Sequence, residues 1–109
     1  MFKLVPSPTF AAEVPLSVPG VSQPLNVLVT FKHQNRDALK AWVFSAPQKD
    51  DVELLGGVIV TWSGVVDEAG QPVPYNLSAL SDLLANYSPS RSELFHAYLN
   101  ELTEAKKKT

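Results

Sequence analysis

Proline placement sets the first limit on this fold, since five of the nine prolines fall within residues 6–24. Proline lacks a backbone N–H and breaks a helix interior, so this segment is not predicted to be helical. Residues 9–18 instead alternate, and one face carries Phe10, Ala12, Val14, Leu16 and Val18. Strict period two is typical of a half-buried strand. Because Pro15 cannot donate to a neighbouring strand, we predict an edge strand.

A second alternating run follows the turn-rich residues 19–24. Its face is rich in strand-forming residues and consists of Leu25, Val27, Val29 and Phe31. Two such runs joined by a short connection predict a β-hairpin. A lone hairpin is marginally stable in water, so it must pack on other elements or gain a strand.

The remaining chain changes to helical periodicity. Asn35 is placed to cap a helix that Pro47 ends, with an apolar stripe of Ala38, Leu39, Trp42, Val43 and Ala46. Another stripe consists of Leu77, Leu80, Leu83, Leu84 and Tyr87. Ser90 and Glu93 match a capping box, and the last helix then carries Leu94, Phe95, Tyr98, Leu99 and Leu102 on one face.

Residues 50–62 carry conflicting signals. Asp50 and Glu53 resemble a capping box, and apolar residues recur at three- and four-residue spacing from Val52 to Trp62. The adjacent glycines 56–57 and the β-branched run that follows them favour a strand locally. The cap and the spacing lead us to predict a helix that continues to Trp62.

These elements predict an α+β fold in which an N-terminal β-hairpin packs with about four α-helices. One domain, residues 1–109, is expected for a chain of this length. It divides into a hairpin region (1–34), a helical region (35–105) and a frayed basic tail (106–109).

Residues 61–76, TWSGVVDEAGQPVPYN, are rich in turn formers yet contain aromatic and acidic side chains. We interpret them as a link between the second and third helices. In this interpretation Trp62 closes a helix onto the core, Gly64 is a helix C-cap, and Asp67 and Glu68 form a solvent-facing turn.

Composition argues against several functions. A net charge of −2 and a pI near 5.6 do not suit a nucleic-acid binder. The absence of cysteine removes thiolate chemistry and Cys-based zinc sites. His33 and His96 each lack a second histidine at ligand spacing and are interpreted as structural or surface residues. No enzyme activity, catalytic residue, metal or cofactor is predicted.

The opening MFKLVPSPTF lacks the apolar run of a signal peptide, and no stretch is long enough to span a bilayer, so we expect an intracellular protein without membrane contact.

The residues most suited to protein contacts are aromatic and aliphatic. Phe44 lies roughly opposite Trp42 around its helix, so we expect it to be exposed, and exposed aromatics are frequent contact residues. Phe95, Tyr98 and Leu102 on the last helix are predicted as further partner contacts. Charged residues make up 18% of the chain, below the usual fraction of about 25%, which favours an assembly and leaves a homo-oligomer open.

Four stretches, in order, resemble the tail assembly chaperones of long-tailed bacteriophages and prophages. They are FKLVPSPTF, VTFKHQNRDAL, TWSGVVDEAGQPVPYNLSALSDLL and SRSELFHAYLNELTEAKKK. The resemblance covers nearly the whole chain and departs at Thr61, where the family pattern has glycine.

This resemblance implies a protein that binds and solubilises the tape-measure protein and helps recruit the tail-tube protein in the host bacterial cytoplasm. Such chaperones are absent from the mature virion. Many also have a longer frameshift product of the same gene as a partner, and the codons of Lys106, Lys107 and Lys108 are candidate slippage sites. A simple solubilising tail is the preferred explanation of these lysines at the protein level. The alternative function is a small structural subunit retained in the tail, whose hairpin adds to a neighbouring sheet.

Overall fold

The computed structural model describes residues 1–105 and has two layers, a three-stranded antiparallel sheet and helices packed on one face of it. In chain order the elements are β1 Thr9–Leu16, β2 Leu25–Lys32, α1 Arg36–Ser45, a single 3₁₀ turn Ala46–Gln48, α2 Asp51–Gly56, β3 Ile59–Ser63, α3 Leu77–Asn86 and α4 Ser90–Thr103. The predicted α+β fold, an N-terminal hairpin with four α-helices, is confirmed within these residues.

The hairpin forms as the alternation predicts. β1 pairs with β2 in register from Thr9 opposite Lys32 to Leu16 opposite Leu25. The strand order β1-β2-β3 makes β1 an edge, which confirms the position inferred from Pro15. The face turned to the helices is buried along both strands and consists of Ala12, Val14, Leu16, Val27, Val29 and Phe31.

The prediction of a helix from residue 50 to Trp62 was wrong in its second half. Asp50 does cap α2, since its side chain accepts from Glu53 N at 2.8 Å, but the helix ends at Gly56 and β3 begins at Ile59. Residues after the glycines form a strand, as the local signals favoured, because β3 pairs antiparallel with the open side of β2. The region 35–105 is therefore not wholly helical.

An irregularity in the sheet produced the misleading spacing. The β2–β3 register shifts between Thr30 and Phe31, so that Ile59 lies opposite Phe31 and Trp62 lies opposite Val29. A β-bulge adds one residue to a strand and changes which residues share a face. Two residues three apart therefore both point into the core, as they would on a helix.

The core joins the sheet to all four helices. Its centre is Tyr98 of α4, whose ring centroid lies 4.9 Å from that of Phe31 and 5.2 Å from that of Trp42. Other buried side chains on the helices are Leu39, Leu54, Leu55, Leu80 and Leu94. Residues from the hairpin region and from the helical region thus share one cluster.

The start of α4 differs from the predicted capping box. Ser90 is already the first helical residue, and its hydroxyl donates to Tyr87 O at 2.6 Å. The Glu93 carboxylate instead accepts three hydrogen bonds from Ser17, two from the backbone N at 3.0 and 3.2 Å and one from the hydroxyl at 2.5 Å. Glu93 therefore ties α4 to the end of β1.

The segment after β3 is an ordered loop, and it links a strand rather than a helix to α3. Gly64 follows β3 with φ +95°, so its predicted role as a helix C-cap was wrong. Trp62 closes the loop by donating from Nε1 to Val73 O at 2.8 Å. Asp67 and Glu68 are exposed, as predicted, and Asp67 Oδ1 accepts from two backbone N–H groups of the turn. The predicted frayed tail, residues 106–109, lies outside the described residues.

Candidate interaction surfaces

Phe44 lies on the outer side of α1, where its side chain is 78% exposed. Trp42 is buried, and its Nε1 donates to Leu54 O at 3.0 Å, which fixes the orientation of the helix. Residues two apart on a helix differ by about 200° in direction, so Phe44 must point away from the core. Its predicted exposure is confirmed. With Val43, 37% exposed, it forms what we name the α1 patch.

The structure does not gather the other predicted contact residues around Phe44. Tyr98 is fully buried, and its hydroxyl donates to Lys32 O at 2.7 Å, while burial raises its pKa to about 12. A residue without exposed surface cannot touch a partner in this fold, so Tyr98 is corrected from a contact residue to a core residue. Leu102 is half-buried and lies in a depression with Phe10.

Phe95 is also half-buried and has neighbours on both sides. Its ring centroid is 5.1 Å from that of Trp42, and the Arg91 guanidinium carbon lies 5.2 Å from the Phe95 ring centroid. This cation–π arrangement covers part of the ring. Phe95 thus presents less apolar surface to a partner than Phe44 does.

A second surface, absent from the sequence-based prediction, lies between the loop after β3 and α3. Two adjoining cavities of about 580 and 190 Å³ share Val65, Val66, Leu83 and Tyr87. The larger cavity also contacts Asp67, Glu68 and Asp82, and none of its lining residues is lysine or arginine. We name this acidic, apolar-floored groove the α3 cleft.

Local sequence explains why the α3 cleft forms. Asn76 caps α3 by accepting from Ala79 N at 2.8 Å, which sets the phase that turns Leu83 and Tyr87 toward the loop. Val73 N donates to Val65 O at 2.9 Å, which pairs the two sides of the loop beside the helix. The prediction of a plain link over residues 61–76 did not include this groove. The signal was the valine pair directly before two carboxylates.

The carboxylates at the cleft retain unused binding capacity. Glu68 and Asp82 are exposed and make no ion pair or side-chain hydrogen bond with any described residue. An apolar floor beside such carboxylates suits a ligand that combines apolar side chains with a cation.

Other site chemistry is sparse in residues 1–105. Within them no three His, Cys, Asp or Glu side chains come together as a possible metal site, and none of their helices has the length and apolar character needed to cross a bilayer. The Tyr75 hydroxyl is buried without a hydrogen-bond partner, and burial raises the pKa of Tyr75. Its ring packs edge-on against Trp62 at 5.1 Å, so we assign it a structural role.

The fold and surfaces define a small α+β domain that is equipped for protein contacts. The family described as phage tail assembly chaperone matches residues 1–109, so the chain belongs to this family, as the four resembling stretches indicated. Neither a curated protein nor a solved structure matches the chain. Membership establishes a chaperone role in tail assembly and suggests a function without catalysis.

Proposed function

We propose that this protein binds the tape-measure protein, keeps it soluble during tail assembly and helps recruit tail-tube subunits around it. The observation that carries the proposal is the family match over residues 1–109. A long tape-measure chain with apolar stripes would aggregate unless those stripes were covered, and small domains with exposed apolar surface can cover them. The proposal places this work in the host bacterial cytoplasm and leaves the protein out of the finished virion.

The α1 patch is the proposed contact for the tape measure. Phe44 is an exposed aromatic residue on a helix, and aromatic residues that become buried at an interface dominate binding energy. Full burial of a phenylalanine side chain contributes about 1.5–3 kcal/mol, which corresponds to at least about tenfold in affinity. Phe95 and Leu102 are proposed as secondary contacts, since both are half-buried.

Co-expression with the tape-measure protein of the same gene cluster tests the proposal. The native chain should keep the tape measure soluble and co-purify with it in several copies. Phe44→Asp should lower the recovered complex at least about tenfold. Val21→Asp is the matched control, because Val21 is an exposed apolar residue of the β1–β2 turn, outside the α1 patch. An insoluble tape measure with the native chain would refute the chaperone proposal, and equal losses for both variants would refute the α1 patch.

Two further parts of the proposal have separate tests. A longer frameshift product should appear in intact-mass spectra of the protein expressed from the natural gene. It should disappear when the codons of Lys106, Lys107 and Lys108 are recoded synonymously. A structural subunit retained in the tail is the competing function, and mass spectrometry of purified particles separates the two, because a chaperone should be missing from them.

A further inference from the structure

Residues 1–8, which we name the arm, expose apolar side chains that the rest of the fold does not use. All eight residues are exposed, with Phe2 at 100%, Leu4 at 96% and Val5 at 76%. None of these three packs against the buried cluster. Isolated exposed apolar residues are common on proteins, but three within four residues on a projecting segment form a sticky surface that favours a partner.

The base of the arm is fixed although its apolar part is not. His33 N donates to Pro8 O at 2.9 Å, so the arm leaves the sheet where β1 begins and β2 ends. Pro6 and Pro8 restrict the backbone there. The cationic side chain of the arm, Lys3, has a hydrogen bond of 3.4 Å to Ser7, which lies within the arm itself.

The α3 cleft has the complementary chemistry. Its floor is apolar and its rim carries Asp67, Glu68 and Asp82 without a lysine or arginine. The arm alternates Phe2 and Leu4 around Lys3, so an extended arm presents apolar side chains on one side and a cation on the other. Apolar groups on the cleft floor would bring the Lys3 ammonium to the carboxylate rim.

Chain geometry disfavours binding of the arm to its own cleft. The cleft opens at the end of the sheet that Leu16 and Leu25 form, opposite the end from which the arm leaves. The stretch from Phe2 to Thr9 has the same number of residues as β1 from Thr9 to Leu16, so the arm is about as long as this strand. An arm folded back along β1, spanning about 3.3–3.6 Å per residue, would place Phe2 at the mouth of the cleft and leave Leu4 and Val5 outside.

We propose that the arm of one copy docks in the α3 cleft of a second copy of this chain, with Phe2 and Leu4 on the apolar floor and Lys3 beside the carboxylates. The two halves of this contact are different surfaces at opposite ends of the sheet, so two copies can exchange arms in a closed pair or join head to tail. Each copy can then bind one neighbour through its arm and another through its cleft. This inference does not rest on tape-measure binding.

Introduced cysteines test the contact directly, since the chain has no cysteine of its own. A Phe2→Cys copy mixed with a Val66→Cys copy should form a disulfide-linked pair under mild oxidation. Val66 is chosen because it is exposed and lines the cleft. Phe44→Cys replaces Val66→Cys in the matched control, because Phe44 lies outside the cleft and is more exposed than Val66. Cross-linking no faster than in this control would overturn the proposal.

Charge reversal supplies a second, reversible measurement by analytical ultracentrifugation. Phe2→Ala should weaken self-association at least about tenfold. Lys3→Glu should weaken it about two- to fivefold, as expected for an exposed ion pair. A mixture of Lys3→Glu with Asp82→Lys should associate more tightly than either variant alone. These substitutions lie outside the core, so circular dichroism should stay unchanged. A native chain that remains monomeric at all concentrations, or a mixture without recovery, would contradict the arm–cleft contact, while pull-down of the tape measure reports separately on the proposed function.

Discussion

Replacing Tyr98 with phenylalanine removes one hydroxyl from the centre of the core and leaves the ring in place. That hydroxyl donates to Lys32 O at 2.7 Å and so connects α4 to the end of β2. A hydrogen bond of this kind contributes about 0.5–1.5 kcal/mol net. Because Lys32 is an exposed residue, water is available near the abandoned carbonyl. We therefore expect a loss of about 1 kcal/mol in the free energy of unfolding.

Urea unfolding followed by tryptophan fluorescence measures this loss. The Trp42 ring centroid lies 5.2 Å from that of Tyr98, so the probe reports on the same part of the core. For a domain of this size, about 1 kcal/mol corresponds to a fall of about 4 °C in Tm. Tyr98→Ala, which also removes the ring, should cost about 3–5 kcal/mol.

Tyr87→Phe is the matched control for the hydroxyl. Tyr87 is half-buried, and its hydroxyl makes no hydrogen bond within the described residues, so its loss should change stability by less than about 0.5 kcal/mol. Equal stability of the two variants would refute the assigned role of the Tyr98 hydroxyl. If Tyr98→Phe lowered tape-measure binding without changing stability, Tyr98 would be a contact residue rather than a core residue.

Two further predictions concern α4. Glu93→Ala removes the acceptor of three hydrogen bonds from Ser17 and should cost about 1 kcal/mol by urea unfolding; Ser17→Ala should cost less, because the backbone N–H still donates, and equal losses would contradict this division. Alkaline pH should destabilise the fold, since burial raises the Tyr98 pKa from 10.0 to about 12. The unfolded chain loses this proton first, so the stabilisation is complete below pH 10 and is lost as pH rises to about 12. Tyr98→Phe should flatten this part of the stability profile, and an unchanged slope would refute the assignment.

Local signals predicted those elements whose burial follows a single period. Alternation in β1 and β2 survives because one face of each strand packs on the helices and the other does not. Asn35 caps α1 as predicted, accepting from Ala38 N at 2.9 Å. The sequence pattern did not predict β3, because this strand forms by pairing with β2. The spacing of apolar residues within residues 50–62 carries no information about that pairing. The bulge then gave a strand the three-residue spacing of a helix.

The interaction surfaces show the same division between local and tertiary information. The exposure of Phe44 follows from its angle to Trp42, which is a local property of one helix. Whether Tyr98 faces a partner or the sheet depends on what packs against α4, and the sequence pattern of an apolar stripe is the same in both cases. The α3 cleft forms between a loop and a helix from separate segments, so no single sequence motif predicts it.

The α1 patch, the arm and the α3 cleft lie apart in the fold, which argues that they serve separate contacts. Phe44 and Val43 project from α1, the arm leaves one end of the sheet, and the α3 cleft opens at the other end. A protein that bound its partner and its own copies through one surface would have to exchange one for the other, whereas separate surfaces can be occupied together. We expect Phe44→Asp to lower tape-measure recovery without changing self-association, and Phe2→Ala to lower self-association directly. Loss of tape-measure binding in Phe2→Ala as well would then measure how far several weak sites along one chain depend on linked copies.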